Sequence, residues 1–487
     1  MAFNRREIIG GAGALALASG IPAPLAAQSN RDARANILLG ELAEEHLRMF
    51  PETATTLGID KRSRADLRAK IGDKSQAGQQ AELAWLRSAV QRLSALPAAG
   101  LSPQTRSNVD TVRASYQTGI DGYAFPYGDV GVSSWRNGPY PVAQNMGSYI
   151  DLPKFLDADH TIESRDDAET YLARLSQHAK QLDDETDRLR AQREQGVIAP
   201  DAVLDKTLAA LRRTREGDPG EWLIVTSLAT RAAAIPGDWR ARAAQIARRD
   251  VAPALGRQIE EIEQHRRRAT ADFGVGKLPR GAEYYAWTLA AATTTRRTPD
   301  QVHEQGLEEL RHYTAEMDRL MRQLGFTSGS VSDRYRAMLR DRRYTFAEGD
   351  PGRAEIIAFI QAQLAELRPR LSQAFGTLVA GNVEVRRIAP AEEMGAPGAY
   401  GGAGSIDGSV PGRFWINLRS TDMHSRIDLP SLTYHEAIPG HVWAGEYANR
   451  LPLARAVTVY GFSAFSEGWA LYGEQLAGEL GVYEDNP

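Results

Sequence analysis

A mainly helical protein carrying a very small β-sheet is what the sequence predicts, and three observations support it. Apolar residues recur at steps of three and four along most of the chain, the spacing that lines one face of an α-helix. Helix-start chemistry is explicit at Thr298-Pro299-Asp300-Gln301: Thr can cap, Pro fits the first turn, and Gln three residues on can close a capping box. Strand-like alternation is confined to 383–388 and 413–418.

In chain order, the first 27 residues read as targeting rather than fold. Asn4-Arg5-Arg6-Glu7 precedes a Gly/Ala/Leu stretch and a small-residue exit at Pro24-Leu25-Ala26-Ala27, the layout of a signal peptide with a twin-arginine start. Cleavage near Ala27 and a periplasmic or secreted product are expected. Helical periodicity then covers 32–49, 80–96, 163–193, 238–268 and 353–375. The basic run His265-Arg266-Arg267-Arg268 falls where a helix should end and suits the negative end of its dipole. Behind Thr298, the residues Val302, Gly306, Leu310, Tyr313, Met317, Leu320 and Leu324 form one apolar stripe, expected to be buried. Irregular chain is expected at 119–149 and at 395–412, where Gly and Pro occupy nine of eighteen positions. Residues 28–487 read as one helical domain, with the active-site half at about 275–487.

Composition narrows the function. The 487 residues carry 58 basic and 62 acidic side chains, a net charge of -4 that gives no basic footprint for nucleic acid. No stretch after the signal segment approaches the roughly 20 apolar residues of a membrane span. With Cys 0, thiolate metal sites, disulfides and a lipidated cysteine are excluded, and any metal must be held by His, Asp or Glu.

Two of nine histidines bracket Tyr434-His435-Glu436-Ala437-Ile438-Pro439-Gly440-His441. Two imidazoles beside a glutamate are what a zinc hydrolase requires, the imidazoles as ligands and the carboxylate as general base. The spacing is unusual. Four residues on a helix return a side chain to within about 40° of its starting direction, whereas six leave it about 120° away. Pro439-Gly440 supplies a remedy: Pro cannot donate to the His435 carbonyl and Gly tolerates unusual backbone angles, so a bulge absorbing two residues is expected to swing His441 back. The third ligand is expected from the next helix, at Glu467 in Ser463-Ala464-Phe465-Ser466-Glu467-Gly468-Trp469-Ala470, with Glu474 and Glu479 as competitors. Gly468 and Ala470 favour Glu467 by allowing close helix approach. Three protein ligands around one zinc ion leave a fourth position for water, which Glu436 would deprotonate.

At these residues the chain resembles the bacterial domain-of-unknown-function family 885, whose members look like zinc metallopeptidases related to the gluzincins. The resemblance rests on the segment from His435 to His441 and on Phe465-Ser466-Glu467-Gly468-Trp469-Ala470-Leu471-Tyr472. It rests also on Ser405-Ile406-Asp407-Gly408-Ser409-Val410-Pro411-Gly412-Arg413-Phe414-Trp415-Ile416-Asn417-Leu418, and on Glu283-Tyr284-Tyr285 with Thr293-Thr294-Thr295. It implies His435, His441 and Glu467 as zinc ligands and Glu436 as catalytic base. It further implies that the strand through Phe414, Trp415, Ile416 and Asn417 is an edge along which a peptide substrate lies, with Tyr400 as a further substrate contact. Family members look longer, so a chain continuing past Pro487, with an oxyanion-stabilising residue beyond it, is expected. Two other readings stay open: a non-catalytic helical periplasmic binding protein, and a zinc hydrolase of non-peptide amides or esters.

Overall fold

Ser75, Ser102, Ser164 and Thr298 each accept a backbone N–H through the side-chain oxygen at a helix start, so four helices begin where capping satisfies otherwise unbonded donors. At Thr298 the expected capping box with Gln301 is complete. The computed structural model describes residues 23–97, 99–131, 137–390, 392–458 and 462–484. The predicted signal segment lies outside the described residues up to residue 22, and residue 23 already begins a helix.

The chain is mainly helical, with one three-stranded sheet among the described residues. Its first layer comprises α1 (Ala23–Met49), α2 (Pro51–Thr56), α3 (Gln76–Ser94) and α4 (Pro103–Gly122). Leu39 and Leu42, Leu86 and Leu93, and Val109 and Val112 close its core. The second layer holds α5 (Ser148–Ala158), α6 (Arg165–Glu194), α7 (Asp201–Arg215), α8 (Leu223–Arg231), α9 (Trp239–Ile246) and α10 (Ala252–Arg268). The long α6 is its axis: Tyr171, Leu175, Leu182 and Leu189 recur at helical spacing and pack against Leu255 and Ile262 of α10. A π turn at Ala247–Val251 joins α9 to α10, so the helix expected over 238–268 carries one dislocation, just before Pro253 withholds an N–H from the ladder. At the end of α10 the basic run makes structural contacts: Arg266 pairs with Asp205 at 2.7 Å and His265 bonds the Leu189 carbonyl at 3.0 Å.

The third layer contains α11 (Gly281–Thr293), α12 (Pro299–Gln323), α13 (Val331–Leu339) and α14 (Gly349–Leu367), then β1 (Val383–Arg387), β2 (Ala399–Gly402) and β3 (Gly412–Ile416). It ends with α15 (Asp428–Glu436), α16 (His441–Ala448), α17 (Leu453–Thr458) and α18 (Ser463–Glu479). Ile356 and Ile360 of α14, Phe414 and Ile416 of β3, and Tyr434 and Trp443 beside the site share its core. Ala454 of α17 packs into the core of the first layer.

Three expectations are corrected. The stripe on α12 is exposed: Leu310 is 63% and Tyr313 61% accessible, and among this helix's described residues only Met321 is buried. Periodicity dictates an amphipathic helix and says nothing of what covers it. The loop expected over 395–412 contains β2, whose Ala-Tyr-Gly-Gly sequence has no alternation to betray a strand. Finally, β3 is not an edge. The order is β1-β3-β2, with β3 parallel to β1 (Val385 opposite Phe414) and antiparallel to β2 (Tyr400 opposite Trp415).

One buried acid in the first layer makes stability depend on pH. Burial pushes the Glu82 carboxyl up to about 7, opposed by the Tyr123 hydroxyl that donates to it at 2.7 Å. The unshifted value is 4.5. Between the two the folded state binds more protons than the unfolded state, so this group's contribution to stability falls as pH rises through that window. Glu82→Gln should therefore relieve a cost approaching about 3 kcal/mol at pH above 7 and little at pH 5. Urea unfolding of both proteins at pH 5 and pH 8 measures it, and an equal difference at the two pH values would exclude the effect.

Candidate metal centre

His435 is the penultimate residue of α15 and His441 the first of α16. The chain does not bulge within one helix, as expected, but ends one helix and starts another. Ala437 leaves helical geometry at φ -108° and ψ -93°, Ile438–Pro439 is a cis peptide, and Gly440 sits at φ -76° and ψ -130°. The Gly440 N–H returns to the Tyr434 carbonyl at 2.9 Å and the Trp443 N–H to that of Ala437 at 3.1 Å, so the break is closed by hydrogen bonds. Glycine is required at 440 by space: a Cβ there would stand 1.8 Å from the His435 carbonyl oxygen and 2.4 Å from that of Tyr434. The result is that the two imidazoles face each other, ring centroids 4.9 Å apart and planes at 90°.

The third group arrives on α18. Trp469 Nε1 donates to the Pro439 carbonyl at 2.8 Å and ties that helix to the break. Close approach occurs at Gly473, whose Cβ would lie 3.4 Å from Gly440 Cα. The expected small contact, Gly468, instead faces open space, while Ala470 is buried. Glu467 Oε2 then lies 3.4 Å from His435 Nε2 and 3.5 Å from His441 Nε2. All three donor atoms fall within 4.8 Å of one another. Two ligands bonded at about 2.1 Å with a tetrahedral angle are separated by about 3.4 Å, which the two His–Glu separations match, so two imidazoles and a carboxylate here could hold one zinc ion.

Of the two competitors, Glu474 has a different task and Glu479 lies outside the donor cluster. Glu474 Oε1 bonds His435 Nδ1 at 2.8 Å, and its other oxygen accepts from the Ser431 hydroxyl. This raises the His435 pKa above its ordinary value and leaves Nε2 facing Glu467 and His441. The sequence shows only that Glu474 lies two helical turns from Glu467 on the same face; its pairing with His435, 39 residues away in sequence, is a tertiary contact. Glu474→Gln is expected to weaken zinc binding about 10–100-fold, measured by competition with a chelating indicator; unchanged affinity would mean that His435 keeps its orientation without it.

Glu436 is 7% accessible. Burial pushes its carboxyl up to about 7, the His435 imidazole and the Gly401 N–H pull it down, and the Glu467 and Glu474 carboxylates add to the rise. It shares with both histidines and Glu467 a cleft of about 620 Å³, walled by β2 and by Glu52, Thr53 and Thr56 of α2. The site thus draws on the first layer as well as on residues 275–487. Strand β2 presses on the end of α15, for a Cβ on Gly401 would stand 2.0 Å from the Glu436 carbonyl oxygen.

Tyr400 lines this cleft. Its ring stacks on Trp415 at 6.0 Å, and the Lys154 ammonium lies 3.9 Å from its centre. Phe414, Trp415, Ile416 and Asn417 do not line the cleft. With β1 and β2 occupying both sides of β3, Phe414 and Ile416 point into the core, and Asn417 spends its amide on the Glu393 carbonyl at 2.7 Å. Trp415 lies under the Arg386 guanidinium at 4.8 Å. The strand that borders the cleft is β2.

Fold and site together define a mainly helical protein whose helix ends converge on a His, His, Glu donor set beside a small sheet. The chain belongs to DUF885, a family described as bacterial protein of unknown function, which covers residues 51–487. The crystal structure of a "putative lipoprotein" from Colwellia psychrerythraea is similar, with TM-score 0.87 and 24% identity over 94% of this chain and 79% of that one. A second "putative lipoprotein", of unknown function, from Shewanella oneidensis gives TM-score 0.50 and 15% identity over 91% of this chain and 77% of that one. These likenesses establish the fold. No curated protein matches the sequence.

Proposed function

We propose that the protein is an exported zinc-dependent peptidase. The observation that carries this reading is the convergence of His435 Nε2, His441 Nε2 and Glu467 Oε2 within one ion's reach, beside the buried Glu436. Zinc held by those three residues would supply Lewis acidity to a carbonyl oxygen and acidify water. Glu436, buried beside the donor set, takes a proton from the attacking water and returns it to the leaving amine. Glu474 holds His435 in place throughout. Peptide as substrate is supported by β2: a short strand bordering the cleft can pair its backbone with an extended chain.

Export is supported by the Asn4-Arg5-Arg6 segment with the apolar stretch behind it, and by the description of the Colwellia neighbour as a "putative lipoprotein". Among the described residues no helix is long and apolar enough to cross a membrane. The test is elemental analysis of the purified protein followed by mass spectrometry of a quenched peptide library. Stoichiometric zinc with peptide fragments supports the reading, zinc without cleavage favours a binding protein, and absence of zinc after reconstitution overturns the ligand set.

A further inference from the structure

A second cavity, of about 260 Å³, lies among α5, α6, α7, α8 and α10 and the loop that leads into β2. Tyr149, Ile150, Pro153, Val251 and Leu255 give it an apolar wall. The space exceeds the roughly 150 Å³ of a buried cavity known to take benzene, so one ring or branched chain with a few polar atoms fits.

Its polar groups are unusually short of partners. Arg213 lines it with Nε buried and unbonded, and among the described residues no carboxylate pairs with its guanidinium. His178 is 1% accessible, with Nδ1 unbonded, and burial holds the imidazole neutral, its pKa drawn down to about 3. Gln144 contributes a buried, unbonded Oε1. Glu392 lines the same space, and burial raises its carboxyl above the usual range, with Asp157 and Asp151 adding to the rise and Lys154 opposing it. Glu221, the other acid of the lining, is paired with Arg240. Buried polar atoms without partners are costly, so several converging on one apolar cavity point to a ligand that bonds them.

A guanidinium and a carboxyl that face one cavity without pairing with each other call for a ligand carrying both charges. The planar fork of Arg213 suits a carboxylate. Glu392 and the Gln144 carbonyl suit an ammonium, which donates only. We propose that this cavity binds a free apolar L-amino acid, its carboxylate on Arg213, its ammonium on Glu392 and Gln144, and its side chain on the Tyr149 to Leu255 wall. This does not rest on the peptidase reading, since none of these residues touches the metal centre.

Calorimetric titration of the full-length protein with L-leucine and L-phenylalanine tests it, with hexanoate and hexylamine as single-charge controls. The expected result is a Kd of about 1 mM or tighter, weakened roughly tenfold or more by Arg213→Met and by Glu392→Gln and unchanged in Glu436→Gln. Ile150→Trp, which fills the cavity, should abolish binding while the circular dichroism spectrum is kept, and serves if either charge variant misfolds. No heat with either amino acid up to about 10 mM, or binding indifferent to all three cavity variants, would overturn the proposal. Hexanoate binding as tightly as leucine would overturn the zwitterion assignment.

Discussion

Glu436→Gln is expected to keep zinc at the wild-type stoichiometry and to lower kcat/KM for peptide cleavage by about 10²–10⁴-fold, the range that general acid–base catalysis supplies. The amide has nearly the shape of the carboxyl, so the packing against Gly401 and the neighbouring histidines should survive. What it lacks is a site that can take up and release a proton at neutral pH. Because Glu436 is not one of the three converging donors, metal content and turnover should separate. Cleavage persisting within threefold of wild type, with zinc in place, would remove Glu436 from the chemistry; loss of zinc as well would make it a ligand or a structural prop.

Gly440→Ala should have the largest effect on the fold. The added Cβ would meet two backbone carbonyls, at 1.8 Å and 2.4 Å, and neither can swing aside as a side-chain tip would. Relief requires moving His435 or unwinding the start of α16, so a loss of at least about 3 kcal/mol is expected, together with loss of stoichiometric zinc. Gly468→Ala is the matched control, one residue from Glu467 on an exposed stretch of α18 with nothing within 4 Å. There the substitution should be neutral or stabilise by up to about 1 kcal/mol through helix propensity. Urea unfolding and elemental analysis of both variants measure these effects. A Gly440→Ala protein as stable as Gly468→Ala would mean that the turn between the histidines is not built as described.

How far the site was readable depended on whether its signal was local. The donors His435, His441 and Glu467 could be nominated from residue types and spacing, because Pro439-Gly440 announced that a regular helix could not run between the histidines. The manner of the break was not readable. A bulge and a new helix are both compatible with Pro-Gly, and the choice depends on Trp443 and Trp469 packing around the turn. The strand through Phe414 to Asn417, expected at a sheet edge, lies in the centre for a related reason. Alternation in 413–418 identified a strand, but whether a strand lies at an edge depends on its neighbours, and β2 carries almost no strand signal of its own.

By itself the sequence determined the helical character, the helix starts at Thr298 and its like, and a donor set confined to His and carboxylates by the lack of cysteine. These are matters of local propensity, capping and side-chain chemistry, all acting within a few residues. Only the tertiary structure decided that Glu474 orients His435, that β2 rather than β3 borders the cleft, that α2 forms its far wall, and that the apolar stripe of α12 faces outward. Each of these is a pairing between segments distant in sequence. Periodicity states which face of an element is apolar, and burial assigns that face a partner only when the whole chain has collapsed.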